Sequence, residues 1–381
     1  MRILVAGGGI SGLATAIFLH RNNHRVTLIE KSHSWKNIGY VIFLWQNGMA
    51  ILKKLGVYEQ ILASGSSLRK YILYNKFGTE VKTLNFDKLI RQFGPIVSIE
   101  RETLHTQLRS LSSDIPTKFD TTVRSLNSHS NGVDVILTDN TKGTFDIVIG
   151  SDGVHSRIRD EVFRKDKIEY YNWAMWMAWV TKIANMSETN LLMFGRNKIF
   201  SVYPVPTNKY CGIFNLHIKH GTPDKAGKRV ELLRHHFGRF GGFMPTILDN
   251  LTDPIPIYHD DITKVNMHDW YKDRIVLVGD AEHAMSPLLG MGISMALEDA
   301  YVLTDQIEKS KTNISQAFQN YARIRQPRLN LIQYNDRKIW KLINFLAFIP
   351  ESLHKAVVQL IPDPYFTGFL YQLMPQVVNG H

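Results

Sequence analysis

The sequence has almost no cysteine: one residue, Cys211, in 381. A single thiol forms no internal disulfide and excludes a metal site built on several cysteines, which fits a reducing, cytoplasmic setting. No run of about 20 uncharged apolar residues is present, so no transmembrane helix is predicted. Met1 to Ala6 leads straight into an apolar strand pattern and a glycine cluster, too short for a secretory leader. Low-complexity tracts and internal repeats are missing, and 44% hydrophobic with 21% charged residues is the balance of a chain folded throughout. None of the 15 histidines stands in an H-E-x-x-H or comparable spacing, so no metal is expected. The formal charge is +11, yet the basic residues are scattered and no helix-turn-helix, zinc-finger or RNP pattern accompanies them. Nucleic acid is therefore not an expected partner; a dinucleotide, or an acidic or phenolic small molecule, would exploit the same charge.

What is present begins with a βαβ pattern: a strand over Arg2 to Ala6, a helix over Ser11 to Asn22 and a strand over Val26 to Glu30. A Gly39-centred loop and a helix over Asn47 to Leu55 follow, the latter stopped by Gly56. Tyr71 to Tyr74 and Glu80 to Leu84 flank Gly78 as a hairpin. Ile96 to Ile99 reads as a strand and Arg101 to Leu111 as a helix with Leu104, Leu108 and Leu111 on one face. Short strands are expected near Thr122 to Leu126, Gly132 to Leu137 and Phe145 to Ile149. From Tyr170 to about Tyr258 the texture shifts to strands rich in aromatics and methionine, read as one antiparallel sheet, with a helix over Arg229 to Phe237. Arg274 to Val278 is again a buried strand, Met291 to Ile307 a helix, and Ile314 to Gln372 a series of helices broken by Pro327, Pro350, Pro362 and Pro364.

Three segments carry chemistry. Gly7-Gly8-Gly9-Ile10-Ser11-Gly12 is a G-x-G-x-x-G between strand and helix: Gly7 allows the tight turn, Gly9 the approach of a pyrophosphate, and Gly12 close helix packing. The helix N-terminus supplies N–H groups for phosphate, and Glu30, about 20 residues on, suits a ribose hydroxyl. This predicts a dinucleotide site without choosing between FAD and NAD. The second segment is Gly150-Ser151-Asp152-Gly153, continuing to Ser156 and Arg157, which alone also reads as an ordinary turn. The third is Gly279-Asp280, which runs on through Pro287, Gly290, Met291 and Gly292 into a helix.

Together, and with Arg101 at a helix start and Trp270 with Arg274 before the Gly-Asp strand, these segments resemble the class A flavoprotein monooxygenases, the family of p-hydroxybenzoate and salicylate hydroxylases, with the related tetracycline-inactivating enzymes. The resemblance spans almost the whole chain. It implies an α/β fold: a Rossmann-like FAD-binding domain (1–70, 96–169 and 264–325), interleaved with an α+β substrate lobe on an antiparallel sheet (71–95 and 170–263), and a C-terminal helical segment (326–381). It implies FAD as cofactor, NADPH or NADH as co-substrate, and O₂ adding to the reduced flavin as a C4a-hydroperoxide that oxygenates a phenol or enol in a site kept dry. The implied cofactor residues are Gly7, Gly9, Ile10, Ser11, Gly12, Glu30, Arg101, Val123, Asp152, Gly153, Gly279, Asp280, Pro287, Gly290, Gly292 and Ile293. Asp280 would meet the ribityl chain, and Arg101 the pyrophosphate and ribityl region. Asp152 and Gly153 would serve flavin pyrophosphate and nicotinamide. The Pro287 to Gly292 loop, with Met291, would lie beside the isoalloxazine. The reactive group is then the flavin, and no catalytic side chain is assigned.

Met291 stands where the family often has glutamine, Ser294 where asparagine is common, and Glu282 where alanine is usual, so detailed kinetics do not transfer. Trp173, Trp176, Met177, Phe200, Tyr203, Phe214 and His217 are the candidates to line an apolar substrate pocket, ordinary sheet core being the competing reading for each. His283 reads as structural, Asp260-Asp261 as a solvated strand end, and Cys211 as inert. The C-terminal run around Trp340, Phe345 and Phe348 reads as a cap over the two lobes rather than a membrane-surface helix. A small aromatic, phenolic or enolic substrate, possible tetracyclines included, and a monomer or homodimer are expected. The alternatives are a related reductase or halogenase, the latter suggested by Trp173, Trp176 and Trp179 without the proline-containing halogenase motif, and a catalytically idle FAD-binding protein at a membrane.

Overall fold

The computed structural model describes the chain except residues 36–39, 164–167, 182, 184–185, 187, 207–208, 253–255 and 375–381; the Gly39 loop lies outside the described residues. A continuous apolar stretch with no polar alternation suits a strand covered on both faces, and that is where Ile3, Leu4 and Val5 sit, fully buried. β1 (Arg2–Ala6) is followed by α1 (Ile10–Arg21) and β2 (Arg25–Ile29), which pairs parallel to it. On its other side β1 pairs parallel with β3 (Ile147–Gly150), and β3 with β4 (Ile275–Leu277). The strands that bring Gly7, Ser151 and Gly279 to one edge thus come from three distant parts of the chain. The segment expected as one strand near Phe145 splits in two. Lys142–Phe145 joins a separate three-stranded sheet, and only β3 enters the parallel one.

The second lobe is a seven-stranded sheet containing Glu169–Val180, Thr189–Gly195, Lys198–Val205 and Lys209–His217, with Lys70–Asn75 and Glu80–Asn85 completing one edge. It is mixed rather than purely antiparallel, because Thr189–Gly195 pairs parallel to Lys70–Asn75. Both faces of this sheet are covered. On one face α2 (Arg229–Phe237) packs with Met244–Asp249 over Phe200 and Phe214, so alternate side chains of each strand point to helices on that side.

The remaining helices join the lobes. α3 (Gly292–Lys309) packs on α1, and α4 (Ile314–Phe348) packs along α3 before crossing to the second lobe. α4 runs through Pro327 without a break, where the sequence suggested one. A proline inside a helix costs about 3 kcal/mol. Arg325 and Arg328 on either side of it are buried against Glu298 and Asp299 of α3, and breaking a buried ion pair costs about 3–5 kcal/mol. Tertiary anchoring outweighs the local penalty. α5 (His354–Leu360) and α6 (Pro364–Leu373) follow, the latter with proline at its first turn, where no N–H is missed. No described helix is long and apolar enough to cross a membrane.

Candidate active site

The glycine turn between β1 and α1 is shaped by close approach. Gly7 has φ +104°, and a Cβ there would lie 2.4 Å from the Ser151 carbonyl oxygen; one at Gly12 would lie 1.9 Å from the Gly7 carbonyl oxygen. Gly9 differs, since a Cβ there would meet nothing within 4 Å. It faces open space at the N-terminus of a 12-residue helix. Glu30 braces the turn, accepting from the Gly8 N–H at 2.9 Å and the Ser32 N–H at 2.9 Å, and His105 adds a 2.8 Å hydrogen bond from Nε2 to the Gly8 carbonyl. His105 lies one helical turn beyond Arg101. No motif in the sequence singles it out, although that spacing places both residues on the same face. Ser11 Oγ is buried with no protein partner among the described residues. An orphaned hydroxyl beside an open glycine, at the positive end of a helix, is a cradle suited to a pyrophosphate.

Asp152 caps a short helix. Its carboxylate accepts from Ser156 Oγ at 2.5 Å and from the N–H groups of Arg157 and Ile158 at 2.7 and 3.2 Å, so local structure occupies the group expected at the cofactor. Val123 is fully buried, and its carbonyl accepts from Arg157 Nε at 2.6 Å. Gly153, at φ +80° with nothing within 4 Å of a Cβ, is the open member of this segment.

Gly279 has φ +63°, and a Cβ there would strike Ser11 Oγ at 2.8 Å, so the Gly-Asp turn and the first glycine turn are packed together. Asp280 is exposed to the cleft while walled by protein. That wall raises its carboxyl pKa, against the pull of His283 and Arg101. Arg101, at a helix start whose N–H donates to the Tyr40 carbonyl at 2.8 Å, feels Asp280 and Glu30 together. Past Pro287–Leu289, Gly290 takes φ +61° with Phe43 packed on it, and Gly292 opens α3 with free space at its Cβ. Trp45 holds both ends of this loop, Nε1 donating to the Leu289 carbonyl at 3.1 Å and its backbone N–H to Ser294 Oγ at 3.0 Å. Met291 is fully buried in the core, so only its backbone can face the loop's ligand side; Ile293 is partly buried. The open glycines, the orphaned Ser11 hydroxyl and the Asp280 carboxylate fit FAD.

Behind this edge lies a latch. Asp299 accepts from His283 Nε2 at 2.5 Å, the Gly279 N–H at 3.2 Å and Arg325 Nε at 2.7 Å. Burial pushes Asp299 up, but His283 and Arg325 hold it below its ordinary range. Glu298 takes both Arg325 and Arg328. Glu282, with Tyr321 donating to it at 2.9 Å, is raised well above the usual carboxyl range by burial and by Asp299. Glu282, His283 and Asp299 converge within 4.8 Å, but Asp299 is already satisfied by His283 and Arg325. A second latch joins the loop to α4: Ser286 donates to Asp336 at 2.5 Å while Trp340 donates to Ser286 Oγ at 3.0 Å.

Against the loop opens a cavity of about 160 Å³. Its walls are the loop (Pro287 to Gly290), Phe43 and Trp45, the sheet face carrying Tyr71, Leu192, Ile199 and Tyr203, and a roof of Leu342, Leu346, Val358 and Phe366 from α4, α5 and α6. Of the seven side chains expected to line it, Tyr203 does. Trp173 and Met177 lie on the same sheet face but in flanking clusters, Trp173 against Trp340 and Met177 beside Tyr40 and Cys211. His217, at the rim, touches the Trp173 ring edge. Trp176, Phe200 and Phe214 point to the opposite face and pack under α2, Trp176 donating to Asp224 at 3.1 Å. The sheet has period two, so one position along a strand separates cavity from far core.

Residues 1–332 match the family model described as FAD binding domain. A flavin-dependent monooxygenase from an unknown prokaryotic organism is 30% identical over 362 residues, covering 93% of each chain. The aurachin C monooxygenase/isomerase of Stigmatella aurantiaca is 25% identical over 87% of this chain and 86% of its own. Among solved structures, the tetracycline destructase Tet(55) superposes with a TM-score of 0.78 at 26% identity, covering 98% of this chain and 96% of its own. Klebsiella pneumoniae HpxO, complexed with FAD and uric acid, reaches 0.84 at 21% identity, covering 100% of this chain and 95% of its own, a likeness of fold. With a family model matched over most of its length and a relative at 30% identity, the chain belongs to the FAD-binding family of flavin-dependent monooxygenases.

Proposed function

We propose that this chain uses NAD(P)H and O₂ to hydroxylate a small aromatic, phenolic or enolic molecule bound in the cavity between the two lobes. The observation that carries this reading is a shared wall: the Pro287–Gly290 loop that leads into α3 also lines the apolar cavity. Bound FAD would supply the redox chemistry, taking a hydride and activating oxygen. On this reading Gly7, Gly9, Ile10, Ser11 and Gly12 hold its pyrophosphate, Glu30 its ribose, and Arg101 and Asp280 its ribityl side. Gly292 brings the α3 N-terminus to the ring, where backbone N–H groups and the helix dipole stabilise negative charge. The apolar walls exclude water from the oxygen chemistry. Residues 1–70, 96–169 and 264–325 form the cofactor domain, 71–95 and 170–263 the substrate lobe, and 326–381 the closing segment. The fold likeness to an FAD-complexed protein and the relatives acting on tetracycline and aurachin support an aromatic or enolic substrate.

The test is isotopic. The FAD-loaded protein is given NADPH or NADH, ¹⁸O₂ and a panel of phenols and enols; one ¹⁸O in the product is expected. Product oxygen drawn only from water, or a chlorinated or merely reduced product, would overturn the hydroxylase reading.

A further inference from the structure

Among the described residues lining the cavity none is Asp, Glu, Lys, Arg or His. That is unusual for a site open to small phenolic acids in a chain of net charge +11, since a bound carboxylate needs a cation or several N–H donors to replace its water. Two of the polar side chains on the wall are already used: Trp45 Nε1 donates to Leu289 and Thr367 Oγ1 donates to the Asp363 carbonyl at 3.1 Å. The remaining polar feature is a pair of hydroxyls, Tyr71 and Tyr203, 2.6 Å apart. One donates to the other, and the Asn190 amide lies beside Tyr71 and the Ser201 hydroxyl beside Tyr203 as further donors, so one O–H and a single lone pair are left to meet a ligand group. Burial raises both phenols above their ordinary value, so they remain protonated at neutral pH.

The pair sits at the loop end. Phe43 packs its Cβ region on Gly290, its ring meets Tyr203 edge-on at 4.5 Å, and Tyr203 joins Tyr71. Away from this end the walls are hydrocarbon, with Leu342, Leu346, Val358, Phe369 and Leu370 of the three closing helices facing the sheet.

We infer that the substrate is an uncharged, lipophilic aromatic or enol, one hydroxyl or carbonyl of which meets the Tyr71–Tyr203 pair while a hydrocarbon portion lies beneath α4, α5 and α6. This rests on the reading of the site as that of a hydroxylase and specifies its substrate class. A carboxylate carried into these walls loses its hydration and finds no cation and at most the one tyrosine O–H in its place, a penalty on the order of a thousandfold in affinity.

The test uses the FAD-loaded enzyme and reads ligand affinity from perturbation of the flavin spectrum. The probes are 4-hexylphenol, hexylbenzene, 6-(4-hydroxyphenyl)hexanoate, salicylate and tetracycline. We expect 4-hexylphenol to bind at least a hundredfold more tightly than the hexanoate, salicylate or tetracycline. A hexanoate or salicylate affinity within tenfold of 4-hexylphenol overturns the substrate class. The preference for 4-hexylphenol over hexylbenzene, expected at roughly ten- to a hundredfold, should fall below about threefold in the Tyr71→Phe/Tyr203→Phe double variant. A preference that survives removes the tyrosine pair from the proposal. If 4-hexylphenol binds as expected but no probe yields labelled product, the hydroxylase reading fails and the binding selectivity stands. If the acids bind and are hydroxylated, the reverse holds.

Discussion

Gly9→Ala separates a glycine kept for a ligand from glycines kept for the fold. At Gly12 a methyl group would lie 1.9 Å from the Gly7 carbonyl oxygen, so alanine there disrupts the turn itself. At Gly9 the backbone is extended, φ −72° and ψ −178°, and the methyl group would meet no atom of the protein within 4 Å. The restricted unfolded chain stabilises alanine by about 0.4–1 kcal/mol, and a glycine N-cap is better than alanine by a similar amount, so the two nearly cancel. The apoprotein should therefore unfold within about 0.5 kcal/mol of wild type. FAD should feel the change, because the space the methyl enters is the approach to the N–H groups of α1. Displacing one charge-assisted hydrogen bond costs about 1.5–3 kcal/mol, or roughly ten- to a hundredfold in Kd. Apoprotein is titrated with FAD by fluorescence quenching, alongside thermal unfolding by circular dichroism. A Gly9→Ala protein that binds FAD as tightly as wild type refutes the placement of the pyrophosphate; one that fails to fold refutes the claim that the position is structurally free.

The buried network offers further tests. Asp299→Asn leaves Arg325 and His283 without their shared carboxylate and should cost about 3 kcal/mol, seen as a fall of a few degrees in Tm with weaker FAD binding through the Gly279 turn; unchanged values for both would show that the latch is idle. Glu282 has a raised folded pKa, so above about 4.3 the unfolded chain ionises while the folded one keeps its proton, and stability falls as pH rises through that window. Glu282→Gln should accordingly raise Tm at pH 8 and do so less at pH 5, and an equal shift at both pH values would contradict the assignment. Burial pushes the Cys211 thiol up to about 12, so a disulfide reagent should label it only after denaturation; rapid labelling of the native protein would refute its burial.

The cofactor edge is largely legible in the sequence because its signals are local: Gly7 to Gly12 and the Gly279-Asp280 turn each sit between a strand and a helix. The Arg229–Phe237 helix is legible for the same reason, from one apolar face. What escapes is long-range or two-sided. Glu169–Val180 is covered on both faces, so no polar alternation marks Trp176 as belonging to the far core and Trp173 to the near side. Tyr71 reaches the cavity only because its strand pairs with one about 120 residues later. Asp152 reads in the sequence either as a cofactor group or as part of an ordinary turn, and its hydrogen bonds from Ser156 Oγ and the Arg157 N–H are those of a local cap that the motif alone does not reveal. Pro327 signals a helix end that the ion pairs of Arg325 and Arg328 override.

The 35-residue helix α4, about 50 Å long, divides its labour along its length. Its first half carries the arginines that lock against α3, and its second half roofs the cavity. The family match stops at residue 332, between these two halves. The Arg325 and Arg328 latch lies before the roof begins, and the Ser286, Asp336 and Trp340 contacts then tie the roof half back to the loop, so one helix fixes the distance between α3 and the top of the cavity.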